Sequence, residues 1–173
     1  MITNKFNIIY ADPPWPCHSA KKHYPLMNIP EICALPVQTL AANDCALFLW
    51  ATFPLMPEAF HVVNAWGFSY KTVAFVWVKR NKVTPGYFFG MGQWTRANAE
   101  ICLFAVKGTM KRENAAVRQV IDAPVEAHSK KPDETRDRII RLMGDLPRVE
   151  LFARQSPPGW AVWGNEVKNT IML

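Results

Sequence analysis

Apolar runs separated by short polar breaks dominate the chain, and their period separates strands from helices. Residues 6–11 (FNIIYA) form a short apolar block that predicts a buried strand. Residues 45–52 (CALFLWAT) are almost wholly apolar, as a strand covered on both faces should be. Residues 71–79 (KTVAFVWVK) predict another buried strand, and 99–108 (AEICLFAVKG) and 148–153 (RVELFA) repeat the pattern. Weaker strands are expected over 117–123 and 159–166. Between these blocks the period lengthens. Met56, Ala59, Phe60, Val63 and Trp66 recur at helical spacing, Pro57 and Glu58 suit a first turn, and Gly67 suits the position past the last turn. A second helix is expected from Pro132 to Gly144, with Asp133 and Glu134 in its first turn and Ile139, Leu142 and Met143 on one face. Buried strands alternating with amphipathic helices predict an α/β sandwich with a mostly parallel sheet. With no internal repeat or linker, residues 1–173 read as one domain.

In sheets of that class, ligands gather beyond the carboxyl ends of the strands. That rule singles out Asp12 to Trp15, the turn after Trp50, the approach to the helix at Lys131, and Arg154 onward. Residues 81–98 are rich in glycine and aromatics without a period, and loops of that length commonly bind something. Charge changes the picture only modestly: 20 basic against 14 acidic side chains give +6, enough to permit a polyanionic partner. Cys17, Cys33, Cys45 and Cys102 lack CxxC spacing, and His18, His23, His61 and His128 do not cluster with them, so no metal site is expected. A reduced intracellular protein with buried thiols is the expectation, with no signal peptide, membrane span or membrane partner.

The chemistry concentrates in Asp12-Pro13-Pro14-Trp15, directly after the first strand. Two prolines in series hold an extended segment whose carbonyls have no neighbouring proline N–H to accept. A carboxylate and a rigidly presented carbonyl suit a planar NH2 group, which has two hydrogens to donate. The adjacent indole offers a face on which a flat ring can stack. Together these describe a pocket for adenine or cytosine. A proline-rich turn with a core tryptophan is the plainer alternative.

Asp-Pro-Pro-Trp is a form of the tetrapeptide of amino-methyltransferases acting on adenine or cytosine, and the rest of the chain resembles the MT-A70 family of N6-adenine methyltransferases. The likeness runs from IIYADPPW through YPLM, LFLWAT, WGFSYKTVAFVWVK, AEICLFAVKG and HSKKPDE to ELFAR and GWAVWGNE. That family includes the catalytic subunit of the eukaryotic messenger-RNA N6-adenosine methyltransferase and many bacterial and phage proteins. The resemblance implies a Rossmann-like methyltransferase fold in permuted order, with helices on both faces of the sheet and S-adenosylmethionine as cofactor. It implies that Asp12 and the Pro13 carbonyl receive the hydrogens of the adenine amine, that Pro14 completes the rigid segment, and that Trp15 contacts the base. Asp12, Lys131, Arg154, Asn165 and Glu166 would hold the cofactor. Tyr24, Arg96 and Glu100 would line the side of the target base, although Arg154 and Glu100 would look the same as members of structural ion pairs. No GxGxxG is present; ELFAR stands in its place. The implied reaction is methyl transfer to N6 of adenine in nucleic acid, with DNA preferred because compact members of the family usually modify it. RNA, a cytosine amine, and a catalytically silent scaffold that binds nucleic acid are the alternatives. Sequence specificity would rest on loops 16–30 and 80–98. The implied setting is the cytoplasm of a bacterial or phage-infected cell, as a monomer or a homodimer.

Overall fold

The computed structural model describes residues 5–16, 26–92, 94–127 and 129–173. Seven strands form one sheet: β1 (Phe6–Ala11), β2 (Ala41–Ala51), β3 (Ser69–Arg80), β4 (Ala99–Lys107), β5 (Val120–Pro124), β6 (Arg148–Leu151) and β7 (Ala161–Trp163). Their order across the sheet is β5-β3-β4-β2-β1-β6-β7. β1 pairs in parallel with β2 and β6, β6 with β7, and β3 with β5, whereas β4 runs antiparallel to both of its neighbours. Every strand except β4 therefore points the same way, and the mostly parallel sheet expected from the sequence is present as a mixed one.

Period-2 alternation divides each central strand between two cores. Ile9 and Ala11 of β1 and Leu47, Leu49 and Ala51 of β2 face one core, together with Ile32 of α1 (Ile29–Ala34) and Ala59, Val62 and Val63 of α2 (Met56–Ala65). Ile8, Tyr10, Ala46, Phe48 and Trp50 face the other, which takes Ile139 and Met143 from α3 (Glu134–Met143). At about 25 cal/mol per Å² of apolar surface removed from water, each fully buried aliphatic side chain here contributes roughly 2 kcal/mol.

Several sequence boundaries shift. β2 begins four residues before the predicted 45, and the predicted strand at 117–123 is displaced to Val120–Pro124. β7 keeps only the centre of the predicted 159–166. α3 starts at Glu134 after Asp133, later than the predicted Pro132, and Gly144 at φ 88° ends it. β3 departs from the fully buried strand expected: only Phe75 and Trp77 on it are buried, because its first four residues are exposed. The sequence reading also missed α1, which is short but well capped. Asn28 accepts from the Glu31 N–H while the Glu31 carboxylate accepts from the Asn28 N–H, a reciprocal pair that satisfies two donors left over at the helix start. No described helix is long and apolar enough to cross a membrane. Among the described cysteines, burial pushes the Cys45 thiol up to about 12 and raises those of Cys33 and Cys102.

Candidate active site

The sheet's polarity places the site. The carboxyl ends of β1, β2, β3 and β6 lie at one edge, and β4 enters the sheet from that same edge because it runs the other way. Asp12 follows β1 immediately, Phe152 and Arg154 follow β6, and Glu100 is the second residue of β4, paired opposite Trp77. Lys131 arrives on the approach to α3.

These residues form a chain of alternating charge. Lys131 Nζ lies 2.7 Å from Asp12 Oδ2 and 3.2 Å from Glu100 Oε2, and Lys79 Nζ lies 2.5 Å from Glu100 Oε1. Two cations and two carboxylates thus neutralise one another where solvent is largely excluded. The Lys131 ammonium also sits 5.7 Å from the centre of the buried Trp50 ring. Burial pulls the Lys131 pKa down, but Asp12 and Glu100 outweigh it and hold the amine above its ordinary value. Burial raises the Asp12 carboxyl above the usual carboxylate range, with Lys131 offsetting only part. Burial also pushes Glu100 upward, yet Lys131 and Lys79 together bring it below its ordinary value. Of the two carboxylates, Asp12 is therefore the better proton acceptor.

Beside this chain lies a cleft of about 180 Å³. Asp12, Lys131, Arg154 and Glu166 line it, as does a set the sequence reading missed: Tyr10, Ser129, Lys130, Arg136, Glu150, Phe152 and Gln155. Arg154 Nε binds Glu166 Oε1 at 2.9 Å. Arg136 holds Glu150 with two bonds, Nε to Oε2 at 2.7 Å and Nη2 to Oε1 at 2.9 Å. Glu150 is only 7 % exposed, so this fork neutralises a carboxylate that could not otherwise stay charged in the interior. The sequence does carry a signal for it, since Glu150 is the one ionisable residue inside the otherwise apolar VELFA. Two wall residues, Ser129 and Phe152, adopt left-handed φ of 58° and 60°, a strained conformation for residues with a Cβ. Two residues before Glu166, Gly164 packs so closely on the backbone that follows β6 that a Cβ would sit 2.3 Å from the Ala153 carbonyl oxygen.

The tetrapeptide departs from its sequence reading at Trp15. The Trp15 indole does not present a stacking face: it is 5 % exposed, lies in the core beneath β1 and β2, and donates its N–H to the Trp50 carbonyl at 2.9 Å. Both proline carbonyls accept from N–H groups of residues other than proline. Pro13 O accepts from the Trp15 N–H at 2.8 Å, and Pro14 O from the Met27 N–H at 3.1 Å. Each keeps a second lone pair. The i to i+2 bond between Pro13 and Trp15 turns the chain at Pro14, and burial alternates along it: Pro13 and Trp15 are buried while Asp12 and Pro14 are part-exposed.

The remaining expected residues are dispersed. Asn165 is exposed and does not line the cleft, although Glu166 next to it does. Arg96 lies on the 81–98 segment with its guanidinium 5.0 Å over the Phe89 ring. Tyr24, Cys17, His18, His23 and His128 lie outside the described residues, as does most of loop 16–30.

A family model described as MT-A70 matches residues 6–166. The type II methyltransferase M.MunI of a Mycoplasma species is 33% identical over 189 residues, covering 94% of this chain and 78% of its own length. The human N(6)-adenosine-methyltransferase catalytic subunit METTL3 is 33% identical over 176 residues, which is 99% of this chain but 30% of that protein. The Drosophila melanogaster N(6)-adenosine-methyltransferase MT-A70-like protein is 34% identical over 170 residues, 96% of this chain and 28% of its own. The chain thus spans most of the first relative and under a third of the other two.

Proposed function

The chain belongs to the MT-A70 family, and from that premise we propose that residues 1–173 act as one methyltransferase domain that methylates N6 of adenine in DNA. The observation that carries the reading is the meeting of Asp12 with Lys131 at 2.7 Å, across 119 positions of sequence, at the mouth of a charged cleft. Kinship with a type II methyltransferase favours DNA over RNA. The single co-directional sheet interrupted by β4, with α1 and α2 on one core and α3 on the other, supports a Rossmann-like fold in permuted order. The tetrapeptide follows the first strand, and the residues assigned to the cofactor come after it.

The cleft fits S-adenosylmethionine by the chemistry of its lining. That molecule carries a carboxylate, an ammonium, a ribose diol and a purine. The cleft opposes Lys130, Lys131 and Arg154 to the first, and Asp12, Glu150 and Glu166 to the donors. The bound cofactor supplies an electrophilic methyl group on a sulfonium. Lys131 and Arg154 would orient the carboxylate end, and Glu166 would accept from ribose hydroxyls, as acidic residues do in other nucleotide-binding folds. Asp12 accepts one hydrogen of the target amine, and the second lone pair of the Pro13 carbonyl accepts the other. These acceptors stabilise positive charge as it develops on nitrogen, in a site where they need not reorganise. The raised affinity of Asp12 for a proton suits it to take the one the methylated amine sheds.

The test is incubation with labelled S-adenosylmethionine and duplex DNA, single-stranded DNA or RNA, followed by nucleoside mass spectrometry. We expect N6-methyladenine from DNA with the wild type and almost none with Asp12→Ala. Full activity in that variant removes Asp12 from the chemistry, and product from RNA alone reverses the choice of substrate.

A further inference from the structure

The segment between β3 and β4 lies at the site edge, and none of its chemistry enters the cleft. From 79 to 98 it carries four cations and no carboxylate; Lys79 and Arg80 are paired with Glu100 and Asp122 from outside it, and Lys82 and Arg96 lie further along. Its large apolar side chains point to solvent: Trp94 is 97 % exposed, and Tyr87, Phe89 and Met91 are exposed too. Single exposed apolar residues are ordinary on a protein surface, but this many on one short segment mark an interaction surface.

The segment is built, not loose. Its base is a two-stranded return in which Arg80 bridges Tyr87, the Phe88 N–H donates to the Lys79 carbonyl at 2.8 Å, and the Lys79 N–H donates to the Asn98 carbonyl at 2.8 Å. Further out two glycines bring the limbs together. A Cβ on Gly90 would lie 1.7 Å from the Ala97 carbonyl oxygen, and one on Gly92 1.9 Å from that of Thr95. These contacts fix the limbs that carry Trp94. Two rings are already stacked with guanidinium groups, Arg80 4.5 Å over Tyr87 and Arg96 5.0 Å over Phe89.

We propose that residues 80–92 and 94–98 form a stacking platform for an unpaired DNA strand, on which bases flanking the target adenine lie against Trp94, Phe89 and Tyr87. Cations interleaved with outward rings, and no acid among them, match a ligand that alternates phosphates with flat apolar faces. A protein partner would meet the same rings but would give Lys82 and Arg96 no regular anion to answer. The platform begins and ends at Lys79 and Glu100, whose ion pair belongs to the Asp12 cluster, so a strand lying on it is led to the site. The proposal rests on the methyltransferase reading for its choice of ligand.

A fluorescein-labelled thymidine dodecamer separates the two, because it has no adenine for the Asp12 pocket. Anisotropy should show the wild type binding it, Trp94→Ala binding about tenfold more weakly, and Trp94→Phe keeping most of the affinity. Lys82→Gln and Arg96→Gln should each reduce the slope of log affinity against log salt by about 0.7. Trp94→Ala should leave S-adenosylmethionine binding by calorimetry unchanged. Equal affinity of the wild type and Trp94→Ala overturns the platform. So does tighter binding to a duplex of the same length, or a wild-type dimer that Trp94→Ala converts to a monomer. Dodecamer binding that depends on Trp94, in a protein that makes no N6-methyladenine, sustains the platform while the methyltransferase reading falls.

Discussion

Replacing Lys131 with methionine keeps most of the side-chain volume and removes the charge at the centre of the site. Glu100 retains Lys79 at 2.5 Å, but Asp12 loses its cation at 2.7 Å. Removing one partner of a buried ion pair costs about 3–5 kcal/mol, because the other charge is left uncompensated. Asp12 is 27 % exposed, so the low end applies, about 3 kcal/mol. For a domain of this size that corresponds to a fall in Tm of roughly 6–12 °C near pH 8. The loss should shrink in acid. A buried Asp12 without its cation has a folded pKa further above its unfolded value, so it favours folding at low pH and opposes it as pH rises through the folded value. Glu100 acts in the same sense: its lowered pKa stabilises the wild type above its unfolded value, and that contribution disappears as pH falls. Thermal unfolding followed by circular dichroism at pH 8 and pH 5 measures both. Adding Asp12→Asn to Lys131→Met should recover much of the stability at pH 8 without restoring methylation. An equal loss at both pH values, with no recovery in the double variant, would refute the account of the charge chain.

Three further outcomes follow from the geometry. Arg136→Leu strands Glu150 in the interior and should cost about 4 kcal/mol by urea denaturation, easing as pH falls because burial already raises the Glu150 carboxyl. A cost below 1 kcal/mol would show that Glu150 does not depend on the fork. Trp15→Phe leaves the buried Trp50 carbonyl without its donor and should cost about 1–3 kcal/mol while leaving KM for DNA unchanged. A raised KM at unchanged stability would restore the indole to the base. Gly164→Ala forces the β7 exit away from Ala153, shifting Arg154 and Glu166 of the cleft, and should weaken S-adenosylmethionine binding by calorimetry; an unchanged Kd would mean that these two side chains do not hold the cofactor.

The strands were readable because apolar runs of strand length, four residues in β1, seven in β2 and six in β4, are buried on both faces and bounded by polar residues. β3 has a similar run but lies towards an edge of the sheet, so composition alone overstated its burial. α1 went unread because its six residues bury only Ile32 and so show no period, although Asn28 and Glu31 spell out its cap. At the site, Asp12, Lys131, Arg154 and Glu166 came from motif likeness and converge on one cleft. Trp15 lies elsewhere than read, because the turn at Pro14 sends the indole into the core while Asp12 stays part-exposed. Arg136 and Glu150 were missed because a single ionisable residue on a helix or strand has no pattern until its partner is known.

The reversed direction of β4 has a further consequence for how such a chain can change. Joining two parallel strands demands a crossover that packs on the sheet, so those connections are tied to the core. β3 and β4 need only a hairpin return, and the Lys79–Glu100 pair clasps its base at 2.5 Å. The residues between can lengthen, shorten or be exchanged without altering any strand order or disturbing Asp12. The segment is thus a detachable reading head: transplanting residues 81–98 from one such enzyme into another should carry strand preference with it and leave the chemistry where it was.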